Sequence, residues 1–205
     1  MNPSANALQA TFGNAIGRVV DARGETIVYV APAKVRDVLA WLKNTAGQDY
    51  NYLVDVTAVE YRDRERPLEV VWNLRSLSSR QDLRIKVELD PRGELVVPSV
   101  VDLWAGANWL EREVYDMFGV TFTGHPDLRR ILMWETYAEG YPLRKDFPLR
   151  GRYSRSEQVR QALNVNPEGH YSMEELAIAD AYDELPRDMR DRLARGERDK
   201  IPNSE

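Results

Sequence analysis

Between Leu68 and Leu89 the chain repeats a two-residue alternation, and that period admits few folds. Leu68, Val70, Trp72 and Leu74 share one side of a first segment. Leu83, Ile85, Val87 and Leu89 point inward in a second, with Arg84, Lys86 and Glu88 outward. Successive strand residues face opposite ways, so each segment is expected to bury one face and wet the other. A doubly wound parallel sheet, buried on both faces, would instead show continuous apolar runs. The alternation predicts an antiparallel or mixed sheet.

The flanking segments supply its partners. Ser4 to Phe12 is expected to form a short opening helix with Ser4 as N-cap. Arg18 to Ala22 and Glu25 to Ala31 are expected as strands joined at Arg23-Gly24. Pro32 suits the first position of a helix running to about Thr45 and ended by Gly47, with Val35, Val38, Leu39 and Leu42 on one face. Tyr52 to Tyr61 is rich in β-branched and aromatic residues and predicts a further strand. The fold class is therefore α+β: a two-layer domain with a mixed, mostly antiparallel sheet and flanking helices.

Asp90-Pro91-Arg92-Gly93 marks a turn, and the texture then changes. Ser99 to Phe118 is expected to be helical, in two pieces broken near Gly106. Leu110, Val114, Met117 and Phe118 form its stripe, and Arg112 and Asp116 are spaced to pair across one turn. Gly119 is the natural C-cap. His125-Pro126-Asp127 can open a short helix that buries Leu128, Ile131 and Leu132. Tyr141-Pro142-Leu143 and Phe147-Pro148-Leu149 are expected to be extended, because the residue before Pro avoids the helical region. The division expected is 1–97 as the α+β domain, 98–149 as a helical and extended docking region, and 150–205 as a C-terminal extension. Its acidic stretch holds Glu174, Glu175, Asp180, Asp183 and Glu184, and six basic residues lie from Arg187 to Lys200. With few apolar residues, this tail is expected to order on binding.

Little in the chain points to chemistry of its own. There is no cysteine, so thiolate ligation of iron–sulfur clusters is excluded, and the two histidines, His125 and His170, are too few for a His-rich zinc or haem site. No GxGxxG, Walker-type, HExxH or GxSxG pattern occurs. Glu111 and Glu113 lie roughly 200° apart around a helix and do not converge as a catalytic pair. A hydrolase built on Glu111, Asp127 or His125 is the rival from the enzyme class; a Gly-His-Pro-Asp turn is the plainer reading of His125. The net charge of −5 argues against nucleic acid as a partner. Arg129, Arg130, Arg144, Lys145, Arg150 and Arg152 form a basic region among prolines and glycines, which fits protein recognition better than RNA. Residues 1–17 carry no Lys or Arg and no long apolar run, so neither a secretory signal nor a transit peptide is expected. Val96 to Leu110, interrupted by Pro98 and Asp102, is too short and polar to span a bilayer. A soluble chain is expected, with membrane association only through partners.

One run is specific enough to carry a resemblance. It comprises Asp102-Leu103-Trp104 through Asn108, then Glu111-Arg112-Glu113-Val114-Tyr115-Asp116-Met117-Phe118-Gly119-Val120, then Gly124-His125-Pro126-Asp127-Leu128-Arg129-Arg130-Ile131-Leu132, then Gly140-Tyr141-Pro142-Leu143-Arg144-Lys145-Asp146-Phe147-Pro148-Leu149. From Asp102 to Leu149 the chain strongly resembles the C-type (30 kDa) subunit family of respiratory complex I, the proton-translocating NADH:quinone oxidoreductase. The E-R-E-x-x-D-x-F-G segment is its most specific part.

The resemblance implies a peripheral-arm protein on the cytoplasmic side of the bacterial membrane. It implies packing against the D-type subunit, which helps build the quinone pocket, and a place near the B-type subunit, which carries the terminal cluster. It implies that FMN, iron–sulfur clusters and quinone are bound by other subunits and none by this chain. It also implies an interface role for the motif residues from Glu111 to Leu149. The nearest rival within the same chemistry is the equivalent subunit of a membrane-bound hydrogenase or formate hydrogenlyase; a general adaptor outside energy metabolism is a further one.

Overall fold

A computed structural model describes residues 2–149, 151–154 and 157–161. The chain divides into two compact units, Met1–Ser154 and Arg155–Glu205. In the second, the described residues 157–161 form one helical turn, in which Glu157 accepts from Arg160 and Gln161. The acidic stretch, the basic run from Arg187 and His170 lie outside the described residues.

The first unit is the α+β fold that the alternation predicts. In chain order it comprises α1 (Pro3–Phe12), β1 (Ile16–Ala22), β2 (Glu25–Val30), α2 (Val35–Asn44), β3 (Tyr52–Glu60), β4 (Leu68–Ser76), β5 (Gln81–Leu89), β6 (Val96–Pro98), α3 (Ala107–Phe118) and β7 (Thr121–Thr123). The first five strands form one sheet in the order β1-β2-β5-β4-β3. Only β2 and β5 pair in parallel; the other neighbours are antiparallel. Arg23 and Gly24 both take positive φ, the geometry a two-residue hairpin loop demands. Leu68, Val70, Trp72 and Leu74 of β4 and Leu83, Ile85, Val87 and Leu89 of β5 are buried, and they share one core with Leu8 of α1 and Val35, Val38, Leu39 and Leu42 of α2. α3 packs against β3, the end strand of the sheet. Among the described residues no helix is long and apolar enough to cross a membrane.

Several local expectations are corrected. Asn2, not Ser4, caps α1: its side chain accepts from Ser4 N–H at 2.9 Å, with Pro3 at the first helical position, while Ser4 is buried against the Tyr50 hydroxyl. Pro32 opens a short 3₁₀ turn ahead of α2, which ends at Thr45, before Gly47. Lys86 takes the outer face as expected but is not wet there; it is covered and buried against Glu69 at 2.7 Å. The stretch 99–106 is not a helix. Leu103 and Trp104 N–H both return to Val100 O, and Ala107 N–H to Trp104 O, so the chain turns without propagating. β6 and β7, which the sequence does not announce, form a parallel two-stranded ribbon. Segments of three residues are too short to show a period.

Candidate subunit-docking site

α3 is the post around which residues 99–153 are wound, and buried carboxylates do the fastening. It presents Glu111, Val114, Asp116, Met117 and Phe118 inward and Glu113 outward. Gly119 ends it in the left-handed conformation that the sequence predicts.

Asp116 is the main fastening. It does not pair with Arg112. Its Oδ2 accepts the backbone N–H of Ile131, Leu132 and Met133 at 3.0, 2.7 and 2.8 Å, and its Oδ1 accepts from Arg130 at 2.7 Å. Three consecutive amides converging on one anion form a nest-like concavity. Burial pushes the Asp116 carboxyl up, but the Met133 amide, the Arg130 guanidinium and the Leu132 and Ile131 amides outweigh it and hold it below the usual carboxylate range. This capture also explains why 126–132 forms no helix. The amides that would propagate it are turned toward Asp116, and Leu132 is left exposed.

Arg112 reaches the same segment from α3, donating to the carbonyls of Arg129 and Arg130 at 3.1 Å each. Arg130 also bonds Gly140 O at 3.1 Å and lies over the rings of Tyr137 and Tyr141. His125, after the Gly124 turn, uses both ring nitrogens: Nε2 faces Asn108 O at 3.2 Å and Nδ1 accepts from Asp127 N–H at 3.0 Å. Asp127 and Arg129 are exposed and pair at 2.8 Å. Pro126 is exposed, and Leu128 packs partly into the core.

The Tyr141–Leu149 segment is pinned by turns. Arg144 N–H returns to Tyr141 O and Phe147 N–H to Arg144 O, so Pro142 sits inside a turn and the expected extended conformation is not adopted. Leu143 N–H bonds Met117 O and Arg144 Nη1 bonds Phe118 O. Glu60, at the end of β3, accepts from Lys145 N–H at 2.6 Å and faces Arg144 Nε at 3.4 Å. Glu139 closes the far end, accepting the Arg152 and Tyr153 N–H groups at 2.6 and 3.1 Å. Asp146 and Pro148 are exposed, and Arg150 lies outside the described residues. Neither Glu60 nor Glu139 stands out in the sequence, because a carboxylate that binds amides 13 or 85 residues away leaves no spacing signal.

Gly119 permits the closest approach. With φ of +78°, a Cβ there would meet the Tyr141 ring at 2.5 Å, and Tyr115 stands edge-on to that ring. Gly119→Ala combines a left-handed alanine with an overpacked contact. It is expected to cost about 2–3 kcal/mol in denaturant unfolding of the chain.

Most charged motif residues are thus engaged within the chain. Glu111 reaches no solvent and both nitrogens of His125 are occupied, so Glu111, Asp127 and His125 do not assemble as a hydrolytic set. Among the described residues no group of three or more His, Asp or Glu could hold a metal ion. Beside its exposed charges this region offers four large apolar side chains outward: Trp109, Leu132, Leu143 and Leu149 are 58%, 61%, 54% and 102% exposed.

Comparison with known proteins bears on the same residues. The family described as "Respiratory-chain NADH dehydrogenase, 30 Kd subunit" matches residues 28–153. The C-type subunit of the NADH-quinone oxidoreductase of Chelativorans sp. is 48% identical over 138 residues, covering 66% of this chain and 68% of the relative. Its counterpart in Geobacter sulfurreducens is 44% identical over 151 residues, covering 73% and 91%. The probable mitochondrial NADH-ubiquinone oxidoreductase 30.4 kDa subunit of Candida maltosa is 48% identical over 129 residues, covering 63% and 46%. A chain of the archaeal membrane-bound sulfane sulfur reductase shares the fold, with a TM-score of 0.55 and 22% identity over 72% of this chain and 85% of that one. The match runs from β2 through β3, β4 and β5 to the segment wound around α3, and on that breadth the chain belongs to the 30 kDa subunit family of respiratory-chain NADH dehydrogenase.

Proposed function

We propose that this chain is a non-catalytic scaffold subunit in the peripheral arm of a proton-translocating NADH:quinone oxidoreductase. Its partner surface is the exposed side of residues 98–149. Electrons pass from NADH through FMN and iron–sulfur clusters to quinone in other subunits, and this chain binds none of those groups. Its chief neighbour is the D-type subunit that helps build the quinone pocket, with the B-type subunit nearby, on the cytoplasmic side of the bacterial membrane. The Tyr141–Leu149 segment is part of that surface.

The exposure of Trp109, Leu132, Leu143 and Leu149 carries this reading. Four large apolar side chains stand out from a segment most of whose carboxylates and arginines are bonded internally. Exposed apolar side chains within one rigid, internally fastened segment are suited to burial against another protein. Aromatic and aliphatic anchors of this kind carry most of the energy of an interface.

The triple variant Trp109→Ser, Leu132→Asp, Leu143→Asp separates docking from folding. The free chain is expected to unfold within about 0.5 kcal/mol of wild type, as surface substitutions do. Co-purification with the complex from native membranes is expected to fall at least about tenfold. Wild-type incorporation of the variant would refute the assignment.

A further inference from the structure

Four carboxylates of the first unit are buried: Glu69, Glu111, Asp116 and Glu139. Glu69 and Asp116 face cations, and Glu139 takes two backbone amides. Glu111 alone of these is bonded through a serine hydroxyl. Ser99 Oγ–H donates to its Oε2 at 2.6 Å, and Val100 N–H donates to its Oε1 at 2.7 Å. No cation bonds it.

We propose that Glu111 and Ser99 form a sealed proton-binding site, in which the Ser99 hydroxyl reverses its hydrogen bond as the carboxyl gains or loses a proton. With the carboxyl ionised, the hydroxyl donates. With the carboxyl protonated, the acid O–H at Oε2 donates to Ser99 Oγ, and the serine hydrogen rotates away. Ser99 Oγ also accepts Val101 N–H at 3.3 Å, and a hydroxyl has two acceptor lone pairs, so it can serve both donors. The Val100 amide keeps its bond in either state. One proton is exchanged, and the heavy atoms need not move.

The surroundings favour the neutral form. Burial pushes the Glu111 carboxyl up from 4.5 to about 7, against the opposing bonds from Ser99 and Val100, and Asp102 adds to the rise. The 99–106 turn supplies Asp102, which is ion-paired to Arg36 of α2. Lys43, also on α2, donates to Leu103 O. β3 brings Asp55 and Glu60, the latter facing Arg144. β6 and β7 bring no titratable side chain. The segment after β7 brings His125, held at Asn108 O, and α3 itself carries Arg112, Glu113, Tyr115 and Asp116. None of these is bonded to Glu111.

The folded chain therefore keeps this proton up to about pH 7, while the unfolded chain releases it near 4.5. Between those values the folded state binds more protons, so this group's contribution to stability declines as pH rises. The joint between α3 and the 99–101 turn is thereby coupled to ambient proton concentration.

The test is a carbon-13 titration of glutamate side-chain carboxyls in the full chain. One resonance is expected to titrate near pH 7 and to vanish in Glu111→Gln, which mimics the protonated acid. Ser99→Ala removes the hydroxyl's bond from both states, and because the bond to the charged form is the stronger, the midpoint is expected to move higher. If every glutamate titrates in the ordinary carboxylate range, the proposal fails. Should Glu111→Gln not fold, the wild-type titration and Ser99→Ala still decide it.

Discussion

Asp116→Ala is expected to lose about 3–5 kcal/mol of stability, the cost of breaking a buried pair and stranding its partners. In a first unit of this size that amounts to a fall of roughly 10 °C in the unfolding midpoint. Two losses combine. The Arg130 guanidinium, almost buried, keeps its charge without its carboxylate. The amides of Ile131, Leu132 and Met133 lose a common acceptor. Each stranded amide that water cannot reach costs about 1–3 kcal/mol. Asparagine rescues little, because it offers one oxygen where two are used and turns an N–H₂ group toward either Arg130 or the amides. Amide hydrogen exchange should show the loss first at 131–133, while the β4 and β5 amides keep their protection. A drop below about 1 kcal/mol would mean that the segment is held by other contacts.

The sign of the pH effect follows from the same bonds. The Asp116 carboxyl is held below the usual carboxylate range in the folded chain. Its contribution is present above the unfolded value and is lost as pH falls through the folded one. Glu111 acts oppositely, so acid weakens one fastening of α3 while favouring the other.

How much of this is legible in the sequence depends on the range of the interaction. The β4 and β5 faces are readable because an alternation is a local pattern, and Gly119 because a helix end has a local signature. The family is readable from the motif run between Asp102 and Leu149. The partners of the motif charges are not. The i, i+4 spacing points Arg112 at Asp116, yet Asp116 takes Arg130, 14 residues on, because that guanidinium also satisfies Gly140 O and two aromatic faces. An exposed i, i+4 pair is worth only about 0.2–0.5 kcal/mol, which a buried network easily exceeds. The unwound 126–132 segment defeats the sequence for a related reason. Its composition suits a helix, but Asp116, distant in the chain, captures amides a helix would use. Lys86 defeats it because alternation shows which side a residue takes, not whether other side chains cover it.

That covering makes the second large prediction possible. On the outer face of the sheet Glu69 is fully buried, bonded by Lys86 at 2.7 Å and by Arg64, with the Tyr29 hydroxyl at 3.4 Å. Arg64 lies over the Tyr61 ring, and Arg18, stacked on Tyr29, pairs with Glu88. Lys86→Met is expected to cost about 2–4 kcal/mol, because Glu69 then keeps its charge with only Arg64 and one hydroxyl to balance it. Arg64 is half-exposed and screened, so it replaces the lysine only in part. Changing both residues, Glu69→Leu with Lys86→Met, removes the stranded charge along with the pair. The double variant is expected within about 1 kcal/mol of wild type, since apolar residues of similar volume commonly match a buried ion pair. The non-additivity between single and double variants, read from urea unfolding as a mutant cycle, is the decisive quantity. If the double variant loses the sum of the two singles, the pair acts as two independent polar contacts and the buried-charge account of this face is wrong.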